Sequence, residues 1–256
     1  MEQPRAFPAL GIVLRADEPS GVGHLAHLAG RIGYPLVWLP ASPPPPLAEL
    51  RHLVRTAAPA RLGLVFETPG QASADWLAAT RDDPVLGGLP VEIPGGREAV
   101  LAALGPERYA TRVWSRELDL AAAGHVVTGA DQAEVVRRLL TARDARTAAR
   151  RAAEAYRIVV DVGVAIGRTM GEAEARVRRD PVLAARADLR AAGLFGTFDD
   201  AQDRVLAYAR AGADGLRATL AAERDVADLL AHLRAVTVGP VAVLLARPEH
   251  RGEALT

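Results

Sequence analysis

The chain has 256 residues, half of them apolar, and its 31 basic residues, all arginine, balance 31 acidic ones. That length supports one sizeable core, as a single α/β barrel or two small domains, and zero formal charge leaves no footprint for nucleic acid or an anionic membrane. Without Cys, Lys or Asn, the sequence excludes disulfides, thiolate nucleophiles and metal–thiolate sites, a P-loop lysine, Schiff-base chemistry and N-glycosylation.

Short apolar runs alternate with helical patterns. Glu2 and prolines stand where an export signal has a basic start and a long apolar run, so a cytoplasmic protein is expected. No stretch approaches the roughly 20 apolar residues of a membrane span. Leu10 to Leu14 reads as a strand covered on both faces, followed by a helix over Gly23 to Arg31. Pro35 to Leu39 is the second strand. The proline run Pro43 to Pro46 leads into a helix over Leu47 to Ala57, with Pro46 near N1. Arg61 to Phe66 is the third strand. In the middle, Ser73 to Ala79 predicts a short helix, Leu89 to Ile93 a strand and Glu98 to Leu104 a helix. Thr111 to Ser115 reads as a strand, Arg116 to Ala123 as a helix and Gly124 to Thr128 as a strand.

Asp131, with Glu134 three residues on, opens a helix running toward Tyr156. Arg157 to Ile166 is the clearest strand. Thr169 to Glu172 forms a capping box for a helix to Arg179, and Thr197 starts another marked by Ala201, Val205 and Tyr208. Leu216 to Leu220 is a strand, Val226 to Val236 a helix, and Val241 to Leu245 a last apolar run. This succession argues for one (β/α)8 TIM-type barrel over residues 1–256, with a reduced middle between Pro69 and Pro106. The rival is an open doubly wound sheet. The turn after the first strand, Arg15 to Gly23, lacks the GxGxxG expected of it.

A barrel places its site at the carboxyl ends of its strands. That selects Arg15, Asp17, Ser42, Glu67, Thr68, Glu92, Trp114, Ser115, Thr128 and Gly129. Ser115, Thr128 and Gly129 stand where strands turn into helices, whose free N–H groups suit a phosphate, and Arg116 adds charge. The same residue types also cap helices with no ligand. Glu67 is the candidate catalytic residue, orienting substrate or acting as base. Trp38 and Trp114 are large enough to wall a planar ring system or to fill the barrel. His24 and His27 lie three apart, yet no third ligand accompanies them, so no metal is expected. The serines, Ser20, Ser42, Ser73 and Ser115, lie in no GxSxG. The Arg137-Arg138, Arg150-Arg151 and Arg178-Arg179 pairs, flanked by acids, read as solvated faces.

Three stretches taken together carry a family resemblance: Thr111 to Gly129, Arg157 to Ala175 with its Gly-Arg-Thr, and Phe195 to Leu220 with its Ala-Gly-Ala-Asp. In order and spacing they resemble the luciferase-like monooxygenases, flavin- or deazaflavin-dependent (β/α)8 barrels. The Val37-Trp38-Leu39 strand fits the same pattern. The resemblance implies reduced flavin mononucleotide or reduced deazaflavin as cofactor. It puts the cofactor's phosphate at the turns of Ser115, Arg116, Thr128 and Gly129 and its ring near Thr68, Trp38 and Trp114. It further implies a small organic substrate and a homodimer or a heteromeric partner. This chain departs from the family at Ser115-Arg116-Glu117, where a Gly-Pro turn is usual, and at Pro40-Ala41-Ser42-Pro43, where an acid or His is common. Three readings follow: an oxidoreductase of monooxygenase type, a non-catalytic flavin-binding or partner protein on a degenerate barrel, and an unrelated barrel isomerase using Glu67 or Glu92 as base.

Overall fold

The computed structural model describes residues 9–14, 19–41, 46–67, 71–153, 155–185, 187–220, 230 and 233–237. Along them run β1 (Ala9–Leu14), α1 (Pro19–Ile32), β2 (Leu36–Pro40), α2 (Leu47–Thr56), β3 (Arg61–Val65), α3 (Gln71–Thr80), β4 (Val91–Ile93), α4 (Arg97–Leu104), α5 (Pro106–Arg112) and β5 (Val113–Ser115). Then follow β6 (Gly124–Val127), α6 (Gln132–Ala148), β7 (Arg157–Ile166), α7 (Met170–Arg179), α8 (Pro181–Ala185), α9 (Ala187–Ala191), β8 (Leu194–Gly196), α10 (Phe198–Arg210) and β9 (Gly215–Leu220). Residues 233–237 are helical as well. Arg15, Asp17, Ser42, Thr68, the run Val241 to Leu245 and most of the helix predicted from Val226 lie outside the described residues.

The strands close into a ring. Parallel pairing runs from β1 through β6 in chain order, then from β6 to β7, from β7 to β9 and from β9 back to β1. Eight strands therefore form the barrel that the βα alternation predicts. β8 is extra: it pairs only with the last residues of β7, Val164 to Ile166. β4 and β5 are the shortest strands of the ring, three residues each.

Strand alternation divides the core in two. Val37 and Leu39, Leu62 and Leu64, Ile158, Val160 and Val162, and Leu216 and Ala218 point outward into one large apolar layer. There they meet Leu50, Leu77, Val100, Leu139 and Val205 of the helices. The inward set is smaller: Val13, Trp38 and Val65 form one apolar cluster, Val126 and Val159 another, and Trp114 packs on both. Burying each large apolar side chain contributes about 1.5–3 kcal/mol, so the outer layer holds most of the stabilisation.

α2 begins at Leu47 as expected, with Pro46 at the N-cap. Three local expectations are corrected. Thr111 and Arg112 end a helix rather than begin a strand; Pro106 at N1 starts α5. No helix forms over 116–123. There Ser115 Oγ accepts from Glu117 N at 3.1 Å, and Asp119 Oδ1 accepts from Ala121 N at 2.9 Å. Asp119 Oδ2 in turn takes the Tyr109 hydroxyl at 2.7 Å and Arg97 Nε at 3.0 Å. Side chains that bond nearby backbone and distant partners compete with helical hydrogen bonding. Finally, α6 stops at Ala148 instead of running on toward Tyr156. Arg150 takes a φ of 53°, and the N–H of Arg151 closes back on the Arg146 carbonyl, a left-handed helix end.

Candidate functional site

Inside the ring, inward positions of three strands carry a connected polar cluster. Glu92 of β4, Asp161 of β7 and Arg217 and Thr219 of β9 are all buried. Arg217 forks onto Asp161, with Nε to Oδ1 at 3.3 Å and Nη2 to Oδ2 at 2.6 Å, and also pairs with Glu92. Thr219 Oγ1 donates to Asp161 Oδ1 at 3.4 Å. Arg116, just beyond β5, reaches in to Glu92 with Nε to Oε1 at 2.5 Å. Two carboxylates thus meet two guanidiniums, the condition under which charge persists in a barrel interior. Glu92, engaged by both arginines, serves as a counter-ion; the isomerase reading, which needs it as a base, loses that residue.

Three helix starts, those of α6, α7 and α10, carry acids of their own. At α6 the Asp131 side chain accepts from Glu134 N at 2.8 Å, and Glu134 Oε2 accepts from Ala130 N at 2.7 Å. At α7 Thr169 Oγ1 accepts from Glu172 N, while Glu172 Oε2 takes Arg168 N at 2.8 Å. At α10 Thr197 and Asp200 complete a capping box. The backbone N–H of Ala130, with Arg138, holds the Glu134 carboxyl below the usual carboxylate range. The hydroxyl and N–H of Thr197 do the same for Asp200. At each of these starts the cap side chain takes one first-turn N–H, and a carboxylate takes the N–H at or just before the cap.

The predicted site residues separate into two groups. Glu67 is exposed just beyond β3, and Thr128 and Gly129 follow β6, so with Arg116 they share the carboxyl end. Gly129 answers to close packing: a Cβ there would stand 2.9 Å from Val135 Cγ2 and 3.1 Å from Val135 N. Ser115 alternates with inward Trp114 and faces outward, its hydroxyl spent on Glu117 N. Its carbonyl lies 3.1 Å from Nδ1 of buried His125, whose pKa burial pushes down. Without a helix after β5, Ser115 has no helix start to offer a phosphate. Trp38 and Trp114 lie elsewhere. Their rings meet edge to face, with centroids 5.9 Å apart, and wall a cavity opening at the amino ends of the strands. His24 and His27 border a hollow between α1 and α2 with His52 and Glu49, and among the described residues no group of three side chains is placed to hold a metal ion.

Sequence reasoning missed Asp161 and Arg217. One signal was available: Asp161 interrupts an otherwise apolar strand, and a charge at such a position needs a partner. The partner's identity was not readable, because Arg217 and Glu92 come from distant parts of the chain.

No family model matches the chain, and no curated protein matches it in sequence. Its fold, by contrast, has solved counterparts. The oxygenating constituent of 3,6-diketocamphane monooxygenase from Pseudomonas putida, solved with FMN, superposes with a TM-score of 0.62 at 11% identity, over 92% of this chain and 98% of that one. The F420-dependent tetrahydromethanopterin reductase of Methanopyrus kandleri gives 0.59 at 11%, over 89% and 97%. Monooxygenase RslO1 of Streptomyces bottropensis gives 0.56 at 16%, over 87% and 93%. At such identities the likeness is one of fold: the chain is a TIM-type (β/α)8 barrel.

Proposed function

We propose that this luciferase-like barrel binds reduced flavin mononucleotide or a reduced deazaflavin and takes part in an oxidoreductase step, monooxygenase-like, on a small organic molecule. The observation that carries the reading is the superposition of nearly the whole chain on FMN- and F420-dependent barrels. Among the described carboxyl-end residues, Arg116 and the Thr128 hydroxyl would hold the cofactor's phosphate beside the backbone of Gly129. The Arg116 side chain is 32% exposed, so its guanidinium can serve Glu92 and still meet a ligand. The helix start of α6 is a poorer fit, since Asp131 and Glu134 occupy it. A reduced cofactor of this class supplies a hydride or the electrons for oxygen activation. Glu67, exposed at the same end, would orient the substrate or hold its proton. Ser115, Trp38 and Trp114 take no part in this arrangement.

A second reading, a non-catalytic flavin-binding or partner protein, is favoured by one observation: the acids at the starts of α6, α7 and α10. Titration of the purified chain with flavin mononucleotide and deazaflavin, each oxidised and reduced, tests both. We expect micromolar binding of one cofactor, weakened about tenfold or more by Thr128→Glu through charge repulsion. Binding with turnover that Glu67→Gln abolishes supports the enzyme; binding without turnover supports the second reading. Absence of binding to either cofactor overturns the oxidoreductase and the flavin-binding protein, and leaves a partner protein on a degenerate barrel.

A further inference from the structure

We propose that the barrel has a second ligand site, at the amino ends of its strands, for a small planar aromatic anion. The cavity there measures about 620 Å³, within the range of small-molecule sites. Trp38 and Trp114 wall it together with Arg61, Arg151, Arg157 and Arg217, and no acidic residue lines it among the described residues.

Strand register explains the arginines. Arg61 and Arg157 are the first residues of β3 and β7, on the same alternation as inward Val65 and Val159. Such inward positions of a barrel are usually filled by branched apolar residues. Arg217, at the inner end, is neutralised by Glu92 and Asp161. The other three are not: Arg61, Arg151 and Arg157 make no ion pair with a carboxylate among the described residues. Arg61 Nη2 donates to the Gly88 carbonyl at 3.3 Å, and Arg151 Nη2 to the Ala155 carbonyl at 2.9 Å. Arg151 Nε is buried with no hydrogen-bond partner, a donor that ordinarily finds an acceptor. In a chain of zero net charge, three like charges around one cavity are a local excess that an anion relieves.

The rings supply the other half of the recognition. Trp38 lies over Gly63 and Trp114 over Gly124; a Cβ at either glycine would stand 2.6 or 2.7 Å from the ring above it. The glycines hold two indoles in place edge to face, giving a ligand ring a rigid aromatic wall. Guanidinium forks match carboxylate and phosphate oxygens. An aromatic carboxylate and an aryl phosphate share the required chemistry: a flat ring carrying an oxyanion.

The test uses the full chain, with 1-naphthoate and phenyl phosphate as probes and benzyl alcohol and inorganic phosphate as controls. Titration is followed by calorimetry and by the indole N–H signals of the three tryptophans. We expect saturable binding of one anionic aromatic probe that weakens with added salt. The Trp38 and Trp114 signals should shift while Trp76, on α3, does not. Arg61→Gln and Arg157→Gln should each weaken binding about tenfold with unchanged melting. If either variant melts early, the indole shifts in the parent chain decide. Absence of saturable binding, shifts confined to Trp76, or full affinity in the Arg61→Gln/Arg157→Gln double variant overturns the site. Equal affinity for inorganic phosphate overturns the aromatic ligand class. Thr128→Glu at the opposite end should leave probe binding unchanged, so this site and the flavin reading fail separately.

Discussion

At the carboxyl ends of the strands the chain answers its own charge. Asp131 and Glu134, Glu172, and Asp200 occupy the starts of α6, α7 and α10, and Arg116 rests on Glu92. At the amino ends Arg61, Arg151 and Arg157 surround a cavity that no acid lines among the described residues. The Glu92–Arg217–Asp161 cluster lies inside the ring and contributes to the amino-end cavity through Arg217 alone. The difference teaches that acids answer the described charges at one end of the barrel, while arginines collect around a cavity at the other. It also shows that equal totals of acid and arginine say nothing about how charge is distributed over one barrel.

The largest test of this comparison is the cluster itself. Arg217→Met removes the guanidinium that joins buried Asp161 and Glu92, and breaking a buried pair costs about 3–5 kcal/mol. Urea unfolding should show a loss of that size; an unchanged midpoint would mean the interior charges are solvated and the two ends are not electrostatically separate. A smaller effect is expected at α6. Asp131→Ala should cost about 1 kcal/mol, the usual worth of an N-cap, and should free the Glu134 N–H. Thermal melts in phosphate and in chloride sharpen the point: phosphate should raise the variant's melting temperature more than the parent's. Equal shifts would show that the carboxyl end never competed for anions.

The smallest effect concerns His125, the second residue of β6, which meets the backbone of Ser115. Burial lowers its pKa, opposed in part by hydrogen bonds to the Ser115 and Glu117 backbone. The unfolded chain therefore binds this proton more readily than the folded one. Stability from this group is full above the unfolded value of about 6.5 and declines as pH falls toward the lower folded value. His125→Gln should flatten that part of the stability profile, by less than the loss of the α6 cap. A profile identical to the parent's would place the imidazole in water.

Local signals carried far in this chain. The β7 strand was legible because Arg157 to Ile166 is a nearly unbroken apolar run, as a strand covered on both faces requires. The starts of α6, α7 and α10 were legible because Asp131, Thr169 and Thr197 bond backbone only three residues away. The segment 116–123 was not, because Asp119 answers to Tyr109 and Arg97 rather than to its helical neighbours. The carboxyl-end group of Glu67, Arg116, Thr128 and Gly129 followed from the barrel rule; the removal of Trp38 and Trp114 to the amino-end cavity did not. Side-chain direction along a strand alternates by position, but its depth in the barrel depends on register with strands far away in the chain.

What the sequence determined by itself is the alternation of strand and helix, the helix caps and hence a barrel, because each rests on periodicity or on contacts a few residues apart. What only the tertiary structure decided is which charges meet. Glu92, Asp161 and Arg217 become partners, and Arg61 and Arg157 become neighbours of one cavity, only when β9 closes on β1 and turns the inward faces of separate strands into a shared space.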